Sequence, residues 1–297
     1  MTDALTLKWR AIAWVEALTA PKTRLSPVEA RAAMKKTTAG PSFVMGSHAG
    51  LASVKDEHLA GVKVRRYLPH AAKPGALVYF HGGGWVLGDT DSHDSPARGL
   101  SLATQREVIS VDYRLAPEHR YPAAVDDSLA VTRALAAQHR VVVVGDSAGG
   151  NLAAVVANRC AADRLDLVAQ VLVYPVTDCA AEAPSYERFA SGHLLSRDSM
   201  RYYRAEYVPD EARRHEPDCS PLRAVSLKGV APSYTLLAGC DVLRDEGRAY
   251  ARRLKDEGVE SHLDEVPGVL HGFFSLQGLS EAKSATNRVA QWLAPRW

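Results

Sequence analysis

Short apolar runs that alternate with helical patterns constrain the fold of this chain more than any other feature. Five runs are nearly continuous, as in strands that are buried on both faces. They are Ala76–Phe80, Val108–Val111, Val141–Val144, Val168–Tyr174 and Tyr234–Ala238, and a run of period two precedes them at Val62–Tyr67. Helical patterns separate most of them, at Ala123–Gln138, Gly149–Ala162 and Glu246–Glu257, with a last one at Glu281–Leu293. This order predicts an α/β fold with a mostly parallel central sheet flanked by helices.

The N-terminal part lies outside this alternation and predicts two helices. In the first, an apolar face is formed by Leu7, Ala11, Trp14, Val15 and Leu18. The second begins at residues 26–29, whose sequence SPVE has the form of a capping box with proline at the first helical position. We expect both helices to pack on the body of the protein, because the alternative, a membrane-surface anchor, needs a more basic polar face.

A long polar and aromatic segment between Asp178 and Ser220 also interrupts the alternation of strand and helix patterns. A simple crossover between strands does not require it. We interpret this segment as an insertion at the strand ends, where open α/β sheets bind their ligands.

The segment Val141–Ala153 reads VVVVGDSAGGNLA, an apolar run followed by G-x-S-x-G and a helical pattern. This order makes a sharp strand-to-helix turn that presents the Ser147 hydroxyl above the sheet in a strained conformation. The N-terminus of the following helix favours developing negative charge. The G-x-S-x-G motif alone can also form an ordinary glycine-rich turn. The prediction that Ser147 is a nucleophile therefore rests on the strand before the motif and the helix after it.

A glycine loop, His81 to Trp85 with the sequence HGGGW, follows the first buried run directly. Glycines at such a place let backbone N–H groups turn toward a ligand without obstruction by side chains. We predict an oxyanion hole formed by the amides of Gly83, Gly84 and Ala148. We consider two alternatives less suitable. A flexible loop would not explain why the glycines directly follow a strand, and a phosphate-binding loop would need a Lys-Ser/Thr pair after the glycines.

An acid and a base are expected after the serine, in that order. Asp241 stands at the end of a strand pattern and is the preferred acid, whereas the rival Asp245 is expected to cap the next helix. His271 stands in a glycine-containing loop after another strand and is preferred over His262, which lies within that strand. The predicted mechanism is nucleophilic catalysis by Ser147 with an acyl-enzyme, and it requires no metal or other cofactor.

With these residues in place, the chain resembles the hormone-sensitive-lipase-like branch of the α/β-hydrolases, which includes many bacterial carboxylesterases. Five blocks carry the resemblance in the family's order and together span most of the chain. They are HGGGW (81–85), VDYRLAPEHRYPAAVDD (111–127), GDSAGGNLA (145–153), LRDEG (243–247) and HGF (271–273). Residues 185–200 also look like the family's lid region.

The resemblance implies an α/β-hydrolase fold with a helical cap, activity on short- to medium-chain acyl esters, and a possible homodimer. Residues 1–48 are expected to be helices that form part of the cap. Residues 49–297 are expected to be the catalytic domain, with the cap insertion at about 178–220. His81, Trp85 and Asp146 are expected to support the site, with Asp146 hydrogen-bonded to the glycine loop.

Two further residues, Arg114 and Glu118, are expected to brace loops. The chain departs from the family pattern at Val242, where proline is usual after the acid. Residues 40–57 could not be aligned with the family pattern.

The bulk composition limits the partners that can be expected. The formal net charge is +2, and no run of basic residues suggests nucleic-acid or membrane binding. The four cysteines, Cys160, Cys179, Cys219 and Cys240, are scattered, which favours free thiols in a reducing compartment. With no signal-peptide core or membrane span, the sequence predicts a cytoplasmic enzyme acting on a small-molecule ester. Its alternatives are an amide or formamide hydrolase with the same triad, and a small-molecule receptor of this fold.

Overall fold

The computed structural model describes residues 3–17, 23, 25–47 and 49–297. In this part of the chain eight strands form one sheet, in the order β1-β2-β4-β3-β5-β6-β7-β8. The strands are β1 Leu51–Leu59, β2 Val62–Pro69, β3 Ala76–Phe80, β4 Glu107–Val111, β5 Val141–Asp146, β6 Ala169–Val173, β7 Ser233–Cys240 and β8 Ser261–Leu270. The helices are α1 Leu7–Ala17, α2 Pro27–Thr38, α3 Ser42–Met45, α4 Asp94–Thr104, α5 Ala123–Ala136, α6 Ala148–Ala162, α7 Pro184–Arg188, α8 Arg197–Tyr207, α9 Arg244–Asp256 and α10 Ser280–Leu293.

Strand direction confirms the predicted mostly parallel sheet. From β4 through β3, β5, β6 and β7 to β8, every neighbouring pair is parallel, and only β2 runs in the opposite direction, antiparallel to both β1 and β4. The carboxyl ends of β3, β5, β7 and β8 therefore meet at one edge of the sheet. This edge is where such folds gather their functional residues.

Side chains of the central strands alternate between two hydrophobic layers. In β3, Val78 and Phe80 belong to the layer formed with α5, α6 and α9. Leu77 and Tyr79 belong to the opposite layer, formed with α4, α10 and the Trp9 side of α1. Because both faces are covered, β3, β5, β6 and β7 are buried along their whole length, as their continuous apolar runs predicted.

The predicted apolar face of α1 is wrong. Leu7, Trp14 and Val15 are 84%, 67% and 58% exposed, and Leu18 lies outside the described residues. The helix packs instead through Trp9, which is fully buried, donates from its indole Nε1 to Glu281 at 3.0 Å and meets a phenyl ring edge-on. The buried face of α1 is therefore the one that carries Trp9, whose indole N–H finds a hydrogen-bond partner, and not the predicted face that carries Trp14.

Helix α2 begins as its capping box predicted. The Ser26 Oγ accepts from the Glu29 amide at 3.3 Å, and the Glu29 carboxylate accepts from the Ser26 amide at 3.0 Å.

Between Asp178 and Ser220 the chain forms α7, α8 and a short 3-10 turn. No helix of the described part of the chain is both long and apolar enough to cross a membrane.

Candidate active site

Ser147 lies in the turn between β5 and α6, in the conformation that the G-x-S-x-G pattern predicted. Its φ of 57° and ψ of −118° are unfavourable for a residue with a side chain. The turn is held by the Ser147 amide, which donates to the Val173 carbonyl at 2.8 Å. Glycine is required two residues later, because a Cβ on Gly149 would lie 1.9 Å from the Phe80 carbonyl oxygen.

Three side chains from three strand ends form one hydrogen-bonded line at this turn. The His271 Nε2 is 3.0 Å from the Ser147 Oγ, and the His271 Nδ1 is 2.7 Å from Asp241 Oδ2. Asp241 is fully buried, and its other oxygen accepts from the Leu243 amide at 3.0 Å. Because a carboxylate can only accept, Nδ1 carries the hydrogen and the Nε2 lone pair faces the serine hydroxyl.

The rival acid and base lie elsewhere. Asp245 does not cap α9 as expected. The helix begins at Arg244, and the Asp245 carboxylate lies in its first turn, where Arg244 and Arg248 contact it at 2.9 and 3.1 Å. Because the N-cap position is Leu243, Asp245 lies inside the helix and pairs with arginines instead. His262 is exposed on β8 and stacks on Tyr234.

The glycine loop adopts a compact turn beside the serine. Gly83 has a φ of 118°, and a Cβ there would lie 2.2 Å from the Leu87 carbonyl oxygen, so no other residue fits. Its carbonyl accepts from the Leu87 amide at 2.8 Å, which closes the turn. Within the described chain, the amides of Gly83, Gly84 and Ala148 donate to no protein acceptor.

A cavity of about 250 Å³ opens at this point. Ser147, His271, Gly83 and Gly84 line one side of it. The apolar part of the lining comes from α2, from the loop after β3 and from the 178–220 segment, and consists of Met34, Leu87, Leu194, Leu195, Met200 and Tyr203. The polar side chains that also line the cavity are Thr37, Thr38, Ser92, His93, Asp146 and Ser275. No group of three His, Cys, Asp or Glu residues that could hold a metal occurs in the described ranges.

Comparison with known proteins identifies the family. A family model described as an α/β hydrolase fold matches residues 77–275. The chain is an α/β hydrolase. An ethyl acetate hydrolase of Pseudomonas putida is 41% identical over 244 residues, which cover 77% of this chain and 76% of that protein. The carboxylesterase NlhH of Mycobacterium tuberculosis is 38% identical over 259 residues, covering 82% and 81%.

Similarity to solved structures extends over nearly the whole hydrolase. An ester hydrolase from the metagenome of Lake Arreo superposes with a TM-score of 0.91 at 35% identity, covering 98% of each chain. The resemblance to bacterial carboxylesterases that the sequence motifs indicated is therefore confirmed, and with it the fold.

Behind the glycine loop of this hydrolase lies a buried carboxylate. Asp146 accepts from the Gly82 amide at 3.0 Å, as expected from the sequence, and from the Tyr79 hydroxyl at 2.5 Å. Its other oxygen lies 3.7 Å from the His93 Nε2. Burial by itself would raise the pKa of Asp146, but His93 and the Tyr79 hydroxyl outweigh burial and hold that pKa below its usual range.

The two remaining predicted support residues, at the two ends of the glycine loop, are buried and are not among the cavity-lining residues. His81 is fully buried, its ring stacks on Tyr113, and its carbonyl accepts from the Tyr113 hydroxyl at 2.7 Å. Burial lowers the pKa of His81 to about 4, so the ring is neutral at neutral pH. Trp85 is buried against Tyr207, with ring centroids 4.4 Å apart.

The loop-bracing residues form ion pairs. Arg114 binds Asp127 at 2.8 Å and Glu118 binds Arg31 of α2 at 2.7 Å.

Two residues around Asp146, Tyr79 and His93, were not predicted from the sequence. Tyr79 reads as one more member of an apolar run, and the only sequence signal for His93 is its place shortly after the glycine loop.

Proposed function

We propose that this α/β hydrolase is a serine carboxylesterase that cleaves short- to medium-chain acyl esters through an acyl-enzyme intermediate. Its place among the ester hydrolases follows from relatives that are named ethyl acetate hydrolase, carboxylesterase and ester hydrolase. One observation supports the mechanism above all: the continuous hydrogen-bonded line from Asp241 through His271 to the Ser147 Oγ.

In the acylation step, His271 Nε2 takes the proton from the Ser147 Oγ while that oxygen forms a bond to the ester carbonyl carbon. The imidazolium that results is stabilised by the Asp241 carboxylate at Nδ1. The carbonyl oxygen becomes an oxyanion, and the free amides of Gly83, Gly84 and Ala148 are the proposed donors to it. When the tetrahedral intermediate collapses, the alcohol leaves with the proton from His271.

Deacylation repeats the sequence with water. His271 takes a proton from the attacking water, whose oxygen bonds to the acyl carbon, and the same three amides receive the second oxyanion. Collapse returns the proton to the Ser147 Oγ and releases the carboxylic acid. Every proton and oxygen is accounted for by the substrate, water and these residues.

The expected substrate size rests on the cavity. Its volume of about 250 Å³ and its mostly apolar lining suit an acyl chain of a few carbons. We propose that α2, within residues 1–48, and the segment at 178–220 act as the cap over this space, since both contribute lining side chains. Tyr203 of α8 packs directly on the glycine loop, because a Cβ on Gly84 would lie 2.3 Å from the Tyr203 Cγ. Among the residues that the structure describes, none from helix α1 lines the cavity, so the N-terminal part of the proposed cap is assigned to α2.

A chain-length and leaving-group series tests the proposal. We expect turnover of p-nitrophenyl acetate to hexanoate, with rates that fall for longer chains, and a much lower rate on the matched anilides. Ser147→Ala and His271→Ala should abolish turnover without unfolding the chain, whereas His262→Ala, a histidine on the surface, should match the wild type.

Each of the other outcomes has a definite meaning. Anilide rates equal to ester rates would favour the amide-hydrolase alternative, and no turnover of any ester or amide would favour the receptor. Rates on long-chain triglyceride emulsions that equal those on short esters would refute the proposed size limit. The homodimer and the cytoplasmic location stay predictions.

A further inference from the structure

We infer that His93 is a positioning residue for the glycine loop, acting through the Asp146 carboxylate. The inference rests on the proposed function, because its effect is expected on the oxyanion that Gly83 and Gly84 would receive. His93 lies in the turn before α4, and its side chain contacts Ser92, Asp146 and His81 rather than the serine, the base or the acid.

The His93 ring is fixed between two partners. Its Nδ1 is 3.1 Å from the Ser92 Oγ, and its Nε2 is 3.7 Å from Asp146 Oδ2. The side chain is only 4% exposed, although it contributes to the cavity wall. Its ring also lies 5.3 Å from that of His81, which is neutral at neutral pH. Asp146 thus supplies a charged group next to this imidazole.

The hydrogen on the ring can be assigned from its surroundings. Two lone pairs that face each other would repel, so the nitrogen opposite the Asp146 carboxylate carries a hydrogen. The single hydrogen of the Ser92 hydroxyl can go either to the Asp89 carbonyl, 3.0 Å away, or to the His93 Nδ1, and the second arrangement is the one that matches this tautomer. His93 thus presents an N–H dipole to Asp146 Oδ2.

Asp146 depends on this partner because it is buried. Its side chain is 5% exposed, and Oδ1 already accepts from the Gly82 amide and the Tyr79 hydroxyl. In the described chain, His93 is the sole polar contact of Oδ2. A buried carboxylate that loses compensation at one oxygen must shift or take up a proton, and either change weakens its bond to the Gly82 amide.

The loop that would move carries the proposed oxyanion donors. Gly82 directly precedes Gly83 and Gly84, and Asp146 directly precedes Ser147. A displacement of about 1 Å in a catalytic group can cost roughly 10²-fold in rate. Because the donors act on charge that develops during the reaction, the loss should fall on kcat and leave KM nearly unchanged.

Three substitutions separate positioning from packing. His93→Leu removes both polar contacts at similar volume, and we expect kcat to fall by roughly 10- to 100-fold with KM within about twofold. His93→Asn places an amide near the Nδ1 position and keeps the Ser92 contact, but it cannot reach Asp146, so it should lose as much as His93→Leu. His93→Gln places its amide near the Nε2 position and should recover kcat to within about threefold of the wild type. His262→Leu is the matched surface control.

An inhibitor that mimics the tetrahedral intermediate supplies a second readout. Phenylboronic acid should bind His93→Leu more weakly by about the factor lost in kcat, because both measure stabilisation of the same oxyanion. If His93→Leu does not fold, the contrast between the Asn and Gln variants decides the same question.

Two results would overturn the inference. One is a His93→Leu enzyme with wild-type kcat and wild-type boronate affinity. The other is an equal loss in the Asn and Gln variants that accompanies a lower melting temperature, which would mark a purely structural role. Failure of the proposed function looks different, since Ser147→Ala would then retain turnover whatever His93 does.

Discussion

Replacing the buried Asp241 by asparagine is the sharpest perturbation of the proposed triad, because the two side chains have nearly the same shape. The amide oxygen can still accept from the Leu243 amide, which Asp241 Oδ1 does at 3.0 Å, so the fold should persist. The change falls on the 2.7 Å contact with His271 Nδ1, where a negative charge becomes a neutral group. An amide nitrogen there would favour the tautomer with hydrogen on Nε2, which cannot accept the serine proton.

The magnitude follows from that contact. The charge is fully buried, so solvent does not screen its effect on the developing imidazolium. We expect kcat of Asp241→Asn to fall by about 10³- to 10⁴-fold, equivalent to roughly 4 to 5.5 kcal/mol in the activation free energy. Asp245→Asn, four residues later, is the matched control, because that carboxylate contacts Arg244 and Arg248 and not the imidazole.

Steady-state hydrolysis of p-nitrophenyl butyrate measures both variants, with circular dichroism to confirm that each is folded. A folded Asp241→Asn enzyme within tenfold of the wild-type kcat would refute the role of this carboxylate. A large loss in Asp245→Asn with a small one in Asp241→Asn would reverse the assignment.

Three further predictions concern stability. Gly149→Ala would drive a Cβ into the Phe80 carbonyl, so urea unfolding should show a loss of at least about 2 kcal/mol, and a stability equal to wild type would contradict the tight turn. The pKa of His81 falls from 6.5 to about 4 on folding, so its contribution to stability is present above pH 6.5 and is lost as pH falls toward 4. The free energy of unfolding should therefore fall by about 3 kcal/mol over this pH range. Urea unfolding of the wild type and of His81→Phe should show a shallower fall of that free energy in the variant. Burial raises the pKa of Glu246 from 4.5 to about 8, so stability should fall as pH rises between these values, and melting curves of Glu246→Gln should lack that fall.

Much of this architecture was predictable because buried parallel strands leave a strong signal in the sequence. The run Ala76–Phe80 coincides with β3, and the predicted helix at Gly149–Ala162 misses α6 by one residue. The triad candidates were predictable for a related reason, since each follows a buried strand in a fixed order and strand ends meet at one edge.

The elements that escaped prediction lack such a pattern. Strand β1 is mostly exposed and is held by its backbone pairing with β2, and its Asp56 and Glu57 pair with two arginines of β2, so its sequence lacks the apolar alternation that identifies a strand. Helix α4 contains Pro96 and Gly99, which argue against a helix locally, yet packing against α10 stabilises it.

Single contacts across the fold are equally invisible in sequence. Trp9 attaches α1 to α10 by a hydrogen bond to Glu281, a residue 272 positions away. The local sequence pattern of neither helix indicates this pair. His93 meets Asp146 only because the turn before α4 folds back over the end of β5. Periodicity reports which side chains are buried, but not which buried polar groups find each other.

The central claim is that Ser147 forms the covalent bond to the substrate, and a phosphonate ester tests it most directly. Reaction with ethyl p-nitrophenyl methylphosphonate should release one p-nitrophenolate for each chain and leave the phosphonyl group on Ser147, located by mass spectrometry of the digested protein. Ser147→Ala should release none and carry no adduct. An adduct on any other residue, or equal labelling of Ser147→Ala, would contradict the account.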